Sequence, residues 1–333
     1  MKRNISAAPH IRSGNSELLL ALDILIAALP AIIWSAIVYG ARPIAVIVIA
    51  MLSGALFELI FAVLFRSGAR IPTAATLGMI IAMFMPAGVN YFMIPIVVFI
   101  AVTVRRLLGG IINPIAVSLA PFFIFTGMMT AHTEIFKKLE VGVVSYWDMM
   151  RELSVKTPLS ELMSGTIPEV SALDLFLGNA PEAIGAMSTM LLLVGGIYLI
   201  CRRVISWQIP VGFLGGAIVV WFFLYFDGAH YEYIVYHMCA GGILLGAFFG
   251  AAEHSSTPVT STGRFIHGVG CGVLTMVFRK LGFAAESVLL SMLVMSLFSR
   301  LLDMITAERY FGCNSKNIGE RLATFLPNRT REE

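Results

Sequence analysis

Almost the whole chain is written in apolar runs of about 14 to 24 residues, interrupted by one long polar stretch from Thr133 to Glu182. A helix needs about 20 apolar residues to cross a hydrocarbon core of about 30 Å. Repeated along one chain, such runs carry more apolar surface than a water-soluble fold can hide. Only 13% of the 333 residues are charged and 58% are hydrophobic, against about 25% charged in soluble domains. An all-α integral membrane protein is expected, because a helix satisfies its own backbone polar groups in lipid.

The runs predict about ten transmembrane helices, at 17–39, 43–65, 74–88, 91–104, 111–131, 185–204, 208–226, 233–252, 264–278 and 282–304. The third, fourth and ninth are short for a bilayer, which predicts tilted, broken or protein-flanked helices there. The first run is too long for a signal-peptide core and lacks a small-residue cleavage site, so it reads as a retained span. The organisation expected is an N-terminal segment 1–16, a five-helix unit 17–132, an outer loop 133–184, a second five-helix unit 185–304 and a tail 305–333.

Charge sets the orientation. Arg66, Arg70, Arg105, Arg106, Arg202, Arg203 and Arg264 fall on one side together with the basic N-terminus and C-terminal tail. Basic residues mark the cytoplasmic side, so both termini are expected in the cytoplasm and the acidic 133–184 loop outside. Arg279 and Lys280 break this rule. Arg105-Arg106-Leu107-Leu108-Gly109 resembles Arg279-Lys280-Leu281-Gly282, and each pair precedes the last span of its half. Five spans per half give the halves opposite orientations, the inverted-repeat architecture of many transporters. Glycines at 242, 246 and 250, and at 268, 270 and 272, predict close helix contacts.

Charges inside spans are costly and are functional or paired. Asp23, Glu58 and Glu286 qualify, with Arg300 and Asp303 spaced to pair on one helix face. Glu58 has no partner nearby in sequence, which suits a proton or cation relay or a salt bridge across helices. Asp23 shares that reading. His132 and His237 fall near span ends, as interfacial hydrogen-bonding groups do. The four cysteines form no Cys-x-x-Cys pair, so no iron–sulfur or zinc site is expected within the chain. No phosphate loop, dinucleotide fingerprint or nucleophile–base set is present. No nucleic-acid partner is expected.

Several segments, in register, resemble the membrane flavoproteins that include the D subunit of the Rnf complex and the B subunit of sodium-pumping NADH:quinone reductase. They are Pro9-His10-Ile11-Arg12, Gly109-Gly110-Ile111-Ile112-Asn113-Pro114, Leu173 to Asn179, Gly195-Gly196-Ile197-Tyr198-Leu199, Trp207 to Val211, His237 to Gly242, Gly246-Ala247-Phe248-Phe249 and Pro258-Val259-Thr260. The resemblance covers about residues 8–304. It implies flavin mononucleotide (FMN) joined by a phosphoester to a threonine in the outer loop. The stretch Arg151-Glu152-Leu153-Ser154-Val155-Lys156-Thr157-Pro158-Leu159 matches at Ser154, Thr157, Pro158 and Leu159. Thr157 would be the acceptor, with Lys156 favouring the phosphate charge.

The departures are Arg151 for an acid, Val155 for glycine and Lys156 for alanine. Thr166, after Glu161, Ser164 and Gly165, is a lesser acceptor candidate. The family's Gly-Glu-Thr-Ser reads Gly185-Ala186-Met187-Ser188, which loses an acid, whereas Ala252-Glu253 keeps one where the family has Thr-Asp.

The resemblance further implies a subunit of an ion-translocating ferredoxin:NAD oxidoreductase in a bacterial or archaeal cell membrane. Its partners would be an iron–sulfur ferredoxin/NAD-handling subunit, a second covalent flavoprotein, small membrane subunits and a flavin transferase. A second, non-covalent flavin such as riboflavin belongs to the same implication. With Glu58 and Asp23, Glu253 is a candidate for the ion path. Two other readings fit the same chain. One is a cofactor-free scaffold subunit of such a complex, and the other is a urea- or ammonium-channel-like transporter.

Overall fold

The structure, a computed structural model, describes residues 17–131, 158–163, 170–180, 182–225, 232–253, 255–284 and 286–306. Every regular element among them is helical. Helices α1 (Glu17–Tyr39) and α2 (Arg42–Leu64) have 23 residues each, about 35 Å at 1.5 Å per residue. Their outward faces stay apolar, with Ile37 68% and Val63 72% exposed. Surfaces of that kind call for lipid.

Helix α3 (Ile71–Phe84) is buried along almost its whole second half. It stops at Met85, which is extended, because Pro86 both lacks an N–H and forces the residue before it out of helical geometry. A non-helical segment leads to α4 (Met93–Leu108), which ends on Gly109 in the left-handed region. Helix α5 (Pro114–Ala131) opens on Asn113, whose Oδ1 accepts from the N–H groups of Ile115 (3.0 Å) and Ala116 (3.2 Å). The Asn113 amide also donates to the carbonyl of Gly250 at 2.9 Å. The Gly-Gly-x-x-Asn-Pro motif is thus a helix cap and a joint between distant segments.

Two short helices follow, α6 (Pro158–Met163) and α7 (Ala172–Leu177). The second half then runs through α8 (Thr189–Cys201), capped by the Ser188 side chain, α9 (Gln208–Tyr225) and α10 (Glu232–Cys239). The eighth apolar run does not continue as one helix. Gly241 and Gly242 turn the chain with φ of 70° and 68°; α11 (Ile243–Leu245) and a π turn (Gly246–Gly250) come after the break. The ridge expected from Gly242, Gly246 and Gly250 is therefore no single helical face. Conversely, the ninth apolar run, expected to be short, lies within a 20-residue helix, α12 (Ser261–Lys280). Its polar first turn and its Arg279-Lys280 end are helical although not apolar. Helix α13 (Glu286–Thr306) closes the described chain.

Helices α1, α2 and α13 are long and apolar enough to cross a membrane. Glycines let helices approach closely. Gly268 of α12 faces α9, where a Cβ would lie 2.5 Å from the carbonyl oxygen of Ile209 and 3.1 Å from the backbone nitrogen of Phe213, and Gly54 and Gly78 bring α2 and α3 together in the same way. The two halves meet where α1 packs on α8 and α5 on α13. They also meet through backbone bonds from Ile184 to Met85 (3.0 Å) and from Gly185 to Met83 (2.7 Å).

Candidate functional site

At the end of α10 the chain breaks inside the protein, which leaves helix carbonyls without partners in their own helix. Arg279, the orientation exception, answers them. Its side chain is only 2% exposed, and its guanidinium donates to the carbonyls of His237 and Ala240 (2.9 Å) and to the Ser287 hydroxyl (3.4 Å). A cation at a helix C-terminus also meets the favourable end of the helix dipole. His237, expected at an interface, is buried beside the break.

Opposite Arg279 sits Glu182, also buried. Its Oε1 accepts from the Gly241 N–H at 3.2 Å. Its backbone is gripped by Tyr39 of α1, whose hydroxyl donates to the Glu182 carbonyl (3.1 Å) and accepts from its N–H (3.2 Å). Glu182 precedes α8, and burial pushes its carboxyl up to about 7 against the pull of the Gly241 N–H and of Arg279.

Above the break lie α6 and α7. Leu159, Leu162, Leu175 and Ala180 form an apolar cluster with Tyr236 and Ala240. A Cβ on Gly241 would collide with Leu159 and Arg279, so α6 rests directly on the break. Helix α7 is capped by Ser171, which accepts from Asp174 N–H (3.1 Å) and ends on Gly178 at φ 102°. Hydrogen bonds from Ser171 and Asn179 hold the Asp174 carboxyl below its usual range. Trp34 donates to the Gly178 carbonyl (3.0 Å) and Tyr236 to that of Val170 (3.0 Å). The Leu173–Asn179 motif is thus a capped turn bolted to the bundle.

Of the residues expected to hold a cofactor, Pro158 opens α6, whereas Thr157, Ser154, Lys156 and Thr166 lie outside the described residues. The ion-path candidates each have partners of their own. Glu58 is held by Arg106 (Nε to Oε2, 3.1 Å) and by the Arg70 N–H (3.0 Å). Asp23 accepts from Tyr198 (3.0 Å) and from two nitrogens of Arg202 (3.2 Å each). Glu253 accepts from the N–H and hydroxyl of Ser255. Asp303 bonds the N–H groups of Val259 (2.8 Å) and Thr260 (3.2 Å) rather than Arg300. Glu182 and the role of Arg279 were not among the residues expected from sequence. The visible signals were a Gly-Gly pair inside an apolar run and, for Arg279, its place as an exception to the charge pattern.

Known proteins are similar to this chain over nearly its whole length. Over 321 residues the chain is 31% identical to the D subunit of the Na(+)-translocating ferredoxin:NAD(+) oxidoreductase complex of Acetobacterium woodii, covering 92% of this chain and 95% of that one. It is 29% identical to the D subunit of the proton-translocating ferredoxin:NAD(+) oxidoreductase complex of Clostridium ljungdahlii, over 94% of this chain and 98% of that protein. A third relative, the D subunit of the ion-translocating oxidoreductase complex of Marinobacter nauticus, is 27% identical, over 92% and 94%. The model of the NQR2, RnfD, RnfE family matches residues 4–312, and the chain belongs to that family.

Proposed function

We propose that this chain is the membrane subunit of an ion-translocating ferredoxin:NAD oxidoreductase that carries electrons through FMN tethered at Thr157. The observation that carries the reading is similarity over more than nine-tenths of the chain to the D subunits of two such complexes. A flavin supplies both one- and two-electron transfer when bound. The chain supplies its position. The segment after Thr157 is fixed, since Pro158 starts a helix whose Leu159 and Leu162 are buried against α10. On α7, Leu173 and Leu177 are 73% and 45% exposed, an apolar face suited to cover a flavin ring. Lys156 and Ser154 flank the tether and would favour its phosphate. A flavin transferase attaches the group, and iron–sulfur, flavoprotein and small membrane subunits exchange electrons with it.

In the bilayer the reading is a multi-pass chain with both termini in the cytoplasm and α6 and α7 on the outer face. Two inverted five-helix repeats are supported by which helices meet. Under such a repeat α1 corresponds to α8 and α5 to α13, and these are the helices that pack across the halves. Each half also uses a basic residue of its matching motif on backbone: Arg105 donates to the carbonyl of Thr73 at the start of α3 (3.1 Å), and Arg279 to carbonyls at the end of α10. Glu58, Asp23 and Glu253 would line the inner entrance of the ion path, each releasing its present partner to do so.

The test is flavin fluorescence of the chain in a denaturing gel, with mass mapping of residues 139–182, for the wild type and Thr157→Ala. A fluorescent wild type and a dark variant are expected. A band equally bright in Thr157→Ala would move the attachment to another residue such as Thr166. A dark wild-type band, from cells that flavinylate other proteins, would make the chain a cofactor-free scaffold.

A further inference from the structure

We propose that Glu182 is the carboxylate that takes up and releases a proton where the two halves of the bundle meet, with Arg279 as its fixed counter-charge. The proposal rests on the ion-translocating reading above and gives it a residue. Ion sites in repeat-built transporters lie at the repeat interface, beside interrupted helices. Glu182 is the acid at such a place. Its Oε1 is 3.2 Å from the N–H of Gly241 at the break. Two and three residues further on, Ile184 and Gly185 bond to Met85 and Met83 of the other half, and Tyr39 of that half clasps the Glu182 backbone. Any sliding of one half on the other therefore changes what the carboxylate touches.

Chemistry separates proton from metal cation here. Alkali and alkaline-earth cations are held by several oxygens. The groups described around this carboxylate are instead donors and a cation: the N–H groups of Gly241 and Ala183 and the Arg279 guanidinium. The helices packed at the break carry the further titratable groups His237 and Cys239 of α10, Glu161 of α6 and Asp174 of α7. A buried carboxylate costs several kcal/mol when charged and ill-paired. Its carboxyl near 7 lets it gain and lose a proton at ordinary pH.

The step is a bare proton transfer. The carboxylate binds a proton from water on one side and releases it to water on the other, and no electron or covalent bond of the chain is involved. The sequence departure fits as well. Ala186 stands where the resemblance has a glutamate, and a Cβ on Gly242 would lie 3.8 Å from it. Four residues upstream, Glu182 brings an acid to the adjoining Gly241.

The experiment uses the whole purified complex in sealed lipid vesicles. NAD reduction, internal pH and uptake of radiolabelled sodium are followed together for the wild type, Glu182→Gln and Glu182→Asp. Glutamine keeps an oxygen for the Gly241 N–H, so assembly and in-gel flavin fluorescence should persist. Loss of proton uptake per NADH formed is expected in Glu182→Gln, with electron transfer retained in the presence of a protonophore; loss of sodium uptake alone, with proton uptake intact, would overturn the assignment. Glu182→Asp should stay coupled with a displaced pH profile. A Glu182→Gln complex coupled as well as the wild type would overturn the assignment and leave the translocation reading intact. Should Glu182→Gln fail to assemble, the Glu182→Asp profile decides: a displaced profile supports the proposal and an unchanged one overturns it. A wild type that reduces NAD and moves no ion would sink both.

Discussion

Arg279 and Lys280 are adjacent, both basic, and indistinguishable to any reading of charge, yet the structure gives them opposite fates. Arg279 is 2% exposed, and its guanidinium serves the carbonyls of His237 and Ala240 at the end of α10. Replacing it by methionine keeps most of the volume and removes every donor. Each buried carbonyl left without a partner costs about 1–3 kcal/mol, so Arg279→Met should cost about 2–6 kcal/mol. Lys280 is exposed, and Lys280→Met should cost no more than about 0.5 kcal/mol.

A second signature is in pH. The raised Glu182 carboxyl means that the folded state binds a proton more tightly than the unfolded chain. Its contribution to stability is fully present below the ordinary carboxylate range and is lost as pH rises through about 7. The slope in that window reaches about 1.4 kcal/mol per pH unit. Arg279 pulls the carboxyl down, so in Arg279→Met the window should extend to higher pH. Thermal unfolding of detergent-purified protein, followed by tryptophan fluorescence over a pH series, measures both effects. Equal losses for the two substitutions, or the same pH window with and without Arg279, would refute the assignment of Arg279 to the break.

Two further outcomes test the frame around the site. Gly272→Ala should loosen α9 from α12 at a cost of about 1–3 kcal/mol, because its Cβ would lie 2.7 Å from the backbone nitrogen of Ala217. Gly215→Ala, whose Cβ meets nothing within 4 Å, should be neutral or mildly stabilising in the same melt. Elsewhere, Glu58→Gln and Arg106→Met should each destabilise by about 1–3 kcal/mol, less than a fully buried pair, because the Arg106 side chain is 20% exposed. The double variant should cost clearly less than the two singles together, and strict additivity would show that the pair is not coupled.

The membrane class was legible because lipid allows few solutions. An apolar run of span length must become a helix, and α1, α2 and α13 do so almost at the expected residues. The interrupted eighth run was not legible by hydropathy, since Ile243 to Phe249 is as apolar as what precedes it. The local clue was the Gly241-Gly242 dipeptide, a turn signal that small-residue spacing at 242, 246 and 250 disguised as a helix contact. Glu182 was harder to see. Hydropathy assigns a charged residue in a connector to water, and nothing periodic marks a connector that folds back into the bundle. Its electrostatic partner Arg279 is 97 residues away in the sequence. Arg279 nevertheless left a trace as a basic residue on the side that orientation disfavours. A charge that solvent does not explain must be neutralised inside the protein. In this chain the neutralising groups are the carbonyls of a broken helix and one buried acid, which is why the exception to the charge pattern lies at the break itself.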